Sequence, residues 1–153
     1  MSNKTKTYIK AIIIPLFVGG IVGIFISGKI DYDYLNKPYL SPPSNVFPIV
    51  WTILYFLMGL SYGILNSNGL ITEKIKNIYY LQLGVNALWP IAFFILKWRL
   101  FAFIWILLLV VLIMIMIYRF YKRNNISAYI QIPYLIWTIF ASYLNIATYL
   151  LNR

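Results

Sequence analysis

Five apolar runs of roughly 20 residues, with every charged side chain near the chain ends or in or bordering the short gaps between runs, constrain this 153-residue sequence more than any single motif. They cover about 8–27, 46–67, 77–96, 100–119 and 127–150, and each can cross a hydrocarbon core of about 30 Å as a helix. A membrane barrel spans with strands of about 9–11 residues that alternate polar and apolar side chains. These runs are too long for that and do not alternate. The sequence predicts an all-α membrane protein, a single domain over residues 1–153 built as a bundle of five transmembrane helices. With 62% hydrophobic and 10% charged residues, it lies far from the soluble balance of about 45–50% and about 25%.

Charge placement adds an orientation. Lys4, Lys6, Lys10, Lys74, Lys76, Arg119, Lys122 and Arg123 fall on the side of the N-terminus, against Lys29, Lys37, Lys97, Arg99 and Arg153 on the other. The excess predicts a cytoplasmic N-terminus. A net charge of +10 distributed this way anchors helices at a lipid surface, so no nucleic-acid partner is expected. The first run follows three lysines, yet no small-x-small cleavage pattern follows Ile26, and it reads as a retained helix.

The polar inventory removes whole classes of chemistry. There is no Cys and no His, and the three acids, Asp31, Asp33 and Glu73, all lie in gaps. Paired-carboxylate catalysis, a carboxylate proton relay and a metal site lack their parts. No metal and no required cofactor are expected. A haem would find only Tyr or Met as axial ligands, so a tetrapyrrole would be held by its ring faces.

What the spans do carry is aromatic and amide. Phe47, Trp51, Tyr55, Met58 and Tyr62 recur every three or four residues and form one stripe along a helix. Gln82, Asn86, Trp89 and Phe93 form a second stripe, and Tyr134, Trp137, Ala141, Asn145 and Thr148 a third. Interface anchoring accounts for a single aromatic such as Trp98, and an amide can simply bond neighbouring helices. Three stripes that join bulky rings to small or amide residues point instead to a cavity for a flat apolar ligand. The fourth run has no polar side chain before Tyr118 and is expected mostly to face lipid while packing a neighbour. The pairs Gly19/Gly23 and Gly59/Gly63 allow close helix approach, expected within the bundle, with a dimer seam as the alternative.

Residues 28–45, GKIDYDYLNKPYLSPPSN, are the one long gap. Pro42 and Pro43 fix φ and remove backbone donors, which stiffens the loop, while Pro48 is tolerated near a helix start. The segment is predicted to be a lid loop between helices one and two, with Tyr32 and the two prolines over the bundle mouth.

These residues also carry a resemblance. Ser41-Pro42-Pro43, Val46-Phe47-Pro48, Val50-Trp51-Thr52, Leu54-Tyr55 and Met58-Gly59 resemble the TspO/MBR family of tryptophan-rich sensory proteins, related to the mitochondrial translocator protein. Gln82-Leu83 through Asn86 and Trp89 to Phe93-Phe94, and Pro133-Tyr134-Leu135 through Trp137 to Leu144-Asn145, agree with it. Asn45 and Ile49 depart from it, standing where the family often has Trp and Pro.

The resemblance implies five helices around a pocket, usually in a homodimer, that binds porphyrins, sterol-like lipids and benzodiazepine-type drugs. It also implies a bacterial cell membrane, a role in tetrapyrrole homeostasis or stress signalling, and in some relatives light-dependent porphyrin breakdown. By position it marks Trp51, Trp137, Asn86, Ala141, Leu144, Asn145 and, in the lid, Tyr32 as ligand-contacting. The stripes add Phe47, Tyr55, Trp89 and Phe93. Since ordinary catalytic groups are missing, any breakdown must draw its reactivity from the excited pigment and oxygen, with Trp51 and Trp137 as the candidate catalytic rings. Two other readings stay open: a carrier of porphyrin, sterol or other lipid, and a regulatory scaffold. Leu144, Tyr149 and Arg153 also fit a proposed sterol-contact pattern that an interfacial Tyr and a terminal Arg would produce anyway.

Overall fold

A computed structural model describes all residues from Met1 to Arg153. It is all-helical: α1 (Asn3–Ile26), α2 (Val46–Ser67), α3 (Glu73–Pro90), α4 (Arg99–Tyr121), a short α5 (Asn125–Ile130) and α6 (Ile132–Leu151). α5 and α6 together make the fifth span, and five helices are long and apolar enough to cross a membrane. The ends differ from the hydropathy limits where capping chemistry extends a helix past its apolar run. Ser2 accepts the Thr5 amide and starts α1 ahead of its lysines. Thr72 accepts the Ile75 amide, with Glu73 in the first turn of α3, a favourable place for an acid.

The spans form a ring. α1 lies on α2, α2 on α5 and α6, these on α4, α4 on α3, and α3 back on α1. α1 and α2 approach closely: a Cβ at Gly59 would sit 2.5 Å from the Ile12 Cα and 2.6 Å from the Ala11 carbonyl oxygen. Gly63 faces Tyr8 and Ala11 in the same seam. Gly59 and Gly63 therefore serve packing within the chain.

The fourth run packs against more than the one neighbour expected of it. α4 packs against α3, α5 and α6 and buries Ala102, Ile106, Leu109, Ile113, Met116 and Phe120 along one stripe. The helix most exposed to lipid is α1, which buries only Ala11 and Pro15. Hydropathy could not separate the two because lipid tails and a protein interior are equally apolar.

Tertiary packing also divides the stripes by depth. Met58 and Tyr62 of α2 are buried below the level of Tyr55, where Tyr62 stacks on Tyr79 at 4.3 Å between ring centroids. Gln82 is fully buried against Met58 and the Tyr79 carbonyl. The lower halves of α2 and α3 are core. Their upper halves, with those of α1 and α6, enclose a cavity.

Candidate binding cavity

The cavity holds about 520 Å³ between α1, α2, α3, α6 and the loop that follows α1. It lies at the end of the bundle opposite the N-terminus, since its walls use the C-terminal halves of α1, α3 and α6 and the N-terminal half of α2. Trp51, Trp89 and Trp137 stand in its wall with Phe47, Tyr55, Phe93 and Phe94. No Lys, Arg, Asp or Glu lines it. Such a wall offers π faces and apolar area with few polar fixing points.

Each ring is held by its neighbours. Tyr32 meets Phe47 edge-on at 5.0 Å, and Phe47 meets Trp137 at 5.9 Å. Trp51 leans on Tyr55 at 5.8 Å and reaches Tyr134 edge-on at 6.4 Å, while Trp89 stacks on Phe93 at 5.1 Å. Beyond Trp89 the backbone leaves the α-helix. Residues Ile91–Ile95 form one π-helical turn after Pro90, in which the Leu96 amide bonds the Ile91 carbonyl at 3.0 Å. Widening the turn lets the successive residues Phe93 and Phe94 both reach the cavity. π turns of this kind cluster at functional sites.

The two amides tie the walls together. Asn86 accepts the Tyr55 hydroxyl at 2.6 Å and donates to the Tyr134 hydroxyl at 2.6 Å. Tyr134 then donates to Gln82 at 2.8 Å. Asn145 accepts the Trp89 indole N–H at 2.9 Å and donates to the Arg99 carbonyl at 2.8 Å. Buried polar groups joined in this way fix a unique geometry. The Trp137 indole N–H, by contrast, is buried without a protein acceptor.

The loop 28–45 covers the mouth through bonds that span the chain. Asp31 is held by Arg99 at 2.5 Å and Lys97 at 3.8 Å, and the Arg99 guanidinium lies 5.3 Å above the Phe93 ring. Asn36 and Asn152 exchange two bonds of 2.9 Å, and the Tyr143 hydroxyl donates to the Tyr39 carbonyl at 2.8 Å. Within the loop the Tyr32 hydroxyl donates to the Pro42 carbonyl at 2.6 Å. Burial pushes the Tyr32 phenol above its ordinary value, which favours the neutral, donating form.

The structure brings Tyr32, Phe47, Trp51, Tyr55, Asn86, Trp89, Phe93, Trp137, Ala141, Leu144 and Asn145 to this one cavity. Pro42 and Pro43 are not in its wall. Pro42 contributes the carbonyl that seats Tyr32, Pro43 is exposed, and Ser44 takes the lining position. Sequence reasoning missed the α1 wall, made by Leu16, Gly19, Gly20, Val22, Gly23 and Ile26. The signal was the glycine cluster. Gly19 lies against the Tyr55 ring, whereas a Cβ at Gly20 or Gly23 would meet nothing within 4 Å, so these two leave room inside. The Asp31–Arg99 clasp was likewise not legible, since its partners are 68 residues apart.

A sequence profile described as the TspO/MBR family matches residues 11–150. A tryptophan-rich protein TspO of Archaeoglobus fulgidus is 35% identical over 147 residues, covering 94% of this chain and 95% of that protein. The tryptophan-rich sensory protein of Cereibacter sphaeroides is 34% identical over 124 residues, 79% of this chain and 76% of its own. The human translocator protein is 33% identical over 118 residues, 74% and 70% of the two chains.

Proposed function

Because the chain belongs to the TspO/MBR family of integral membrane proteins, we propose that its cavity binds a tetrapyrrole and promotes the light- and oxygen-dependent degradation of that pigment. The observation that carries this reading is the wall itself: three tryptophans around about 520 Å³, with no charged side chain among the lining residues. A flat, largely apolar ring system suits those faces, and the nearest cations, Lys37, Lys97 and Arg99, stand outside the wall and are paired with Asp33 and Asp31. Trp51 and Trp137 supply oxidisable indoles on the ligand. The photoexcited pigment takes an electron from one indole, and oxygen takes that electron from the reduced pigment to give superoxide. The indole radical cation regains its electron from the pigment ring, and superoxide adds to the pigment cation radical, so that the indole is restored and O2 ends in the ring. The pigment is a substrate here, and the protein contributes position and electron-rich rings.

Orientation and assembly belong to the same proposal. With the N-terminus cytoplasmic, as the cation excess on its side suggests, the mouth opens toward the outer face of a bacterial cell membrane. A homodimer is expected to use the outer face of α3, where Leu81, Gly84 and Leu88 are exposed. The carrier reading is favoured by one observation: α1, a full wall of the cavity, is anchored mainly to α2. Dark porphyrin flux into sealed liposomes, scaling with protein, would establish it.

The test is illumination of purified protein with protoporphyrin, in air and without oxygen, followed by absorbance. Oxygen-dependent bleaching is expected. Trp51→Phe and Trp137→Phe keep a stacking face and should each lose most turnover while binding within about tenfold of the parent, a difference of about 1.4 kcal/mol. Parental rates in both variants would reduce the tryptophans to walls. No spectral change in the parent would remove the degradation reading.

A further inference from the structure

At the end of the bundle opposite the cavity mouth, a second groove of about 300 Å³ lies between the end of α4 and the α5–α6 segment. Its wall is wholly apolar and includes Ile117, Tyr118 and Tyr121 on one side and Tyr129, Ile132 and Leu135 on the other. It crosses the break in the fifth span at Gln131, just ahead of Pro133. The three tyrosines are exposed, amphipathic rings suited to headgroup depth.

The rim is cationic. Arg119, Lys122 and Arg123 close α4. Arg119 is engaged by the Lys74 carbonyl at 3.0 Å, but Lys122 lies 4.6 Å above the Tyr118 ring at the groove edge and Arg123 is exposed beside it. Neither has a carboxylate, because the ion pairs of the chain gather at Asp31 and Asp33 on the other face. We propose that this groove is a site for an anionic phospholipid, one acyl chain lying in the apolar channel and the phosphate held by Lys122 and Arg123.

The charge selects the occupant. Any lipid tail fits an apolar channel, but basic residues at the cytoplasmic end of a transmembrane helix favour an anionic headgroup. A second copy of the chain is disfavoured, since this face carries eight Lys and Arg and, as its sole acid, Glu73, and pairing it with itself would set like charges together.

The experiment uses the full chain in a neutral detergent, with native mass spectrometry and thermal unfolding against phosphatidylglycerol, phosphatidylcholine of the same chains, and inorganic phosphate. Retention and a raised Tm are expected with phosphatidylglycerol alone. The exposed double variant Lys122→Gln/Arg123→Gln should lose at least about fivefold of that preference. Leu135→Trp, which fills the channel, should abolish retention while leaving protoporphyrin affinity unchanged. Equal retention of both lipids, or phosphatidylglycerol binding untouched by either variant, would overturn the proposal. So would protection by phosphate alone, or a dimer that Leu135→Trp dissociates.

Discussion

Asn86 shows how much one side chain organises. It joins α2 to α6 by accepting from Tyr55 and donating to Tyr134, so Asn86→Leu strands the Tyr55 hydroxyl while Tyr134 keeps Gln82. A buried donor left unpaired costs about 1–3 kcal/mol. The variant should unfold at lower temperature in detergent than Tyr55→Phe/Asn86→Leu, in which both partners are apolar. Tyr32 sets a pH limit at the same scale. Its neutral phenol donates to Pro42, and burial raises its folded pKa above the unfolded value of about 10. Its contribution is therefore complete below about pH 10 and is lost as the pH rises through the folded pKa. Exchange of the loop amides, corrected for the intrinsic pH dependence, should accelerate above pH 10, and in Tyr32→Phe that step should be absent. The stripe periodicity made Asn86 and Tyr55 legible as inward-facing. That they bond each other was not, because register between helices is a tertiary quantity.

Glycines with the same spacing have different roles in different helices. At Gly59 an added Cβ meets the α1 backbone, which cannot rotate away as a side chain can. Gly59→Ala should cost about 1–3 kcal/mol through overpacking, read as a fall in Tm with separation of α1 from α2. Gly23→Ala meets nothing and should leave stability near parental while narrowing the cavity, so its effect belongs in the protoporphyrin Kd. Gly84, exposed on α3 with open space around it, tests assembly. Gly84→Leu should shift a dimer toward monomer in cross-linking or sedimentation without lowering Tm. The GxxxG spacing told that a helix could approach something closely. Whether each glycine met a neighbouring helix or open space depended on which face the bundle turned inward.

Across the whole molecule, the loop 28–45 converts contacts distant in sequence into closure of one site. Asp31→Asn removes the charge that Arg99 and Lys97 share, and should speed protoporphyrin dissociation on the order of fivefold, about 1 kcal/mol for a partly exposed pair, with little change in Tm. High salt should do the same to the parent and less to the variant. Bound ligand should slow hydrogen exchange over the same residues. Sequence alone determined the class of object: runs of this length and apolarity can satisfy their backbone only as spanning helices, and the charges between them set the ends. It also determined which stripes turn inward, because helical period is a local property. The third dimension decided the rest. It placed α1 as a cavity wall, packed α4 by one stripe against α3, α5 and α6, split each stripe into cavity and core by depth, and joined Asp31 to Arg99. These outcomes depend on which helix lies beside which, and in a bilayer that order is decided by shape and by a few buried hydrogen bonds, since hydrophobicity is the same on every side.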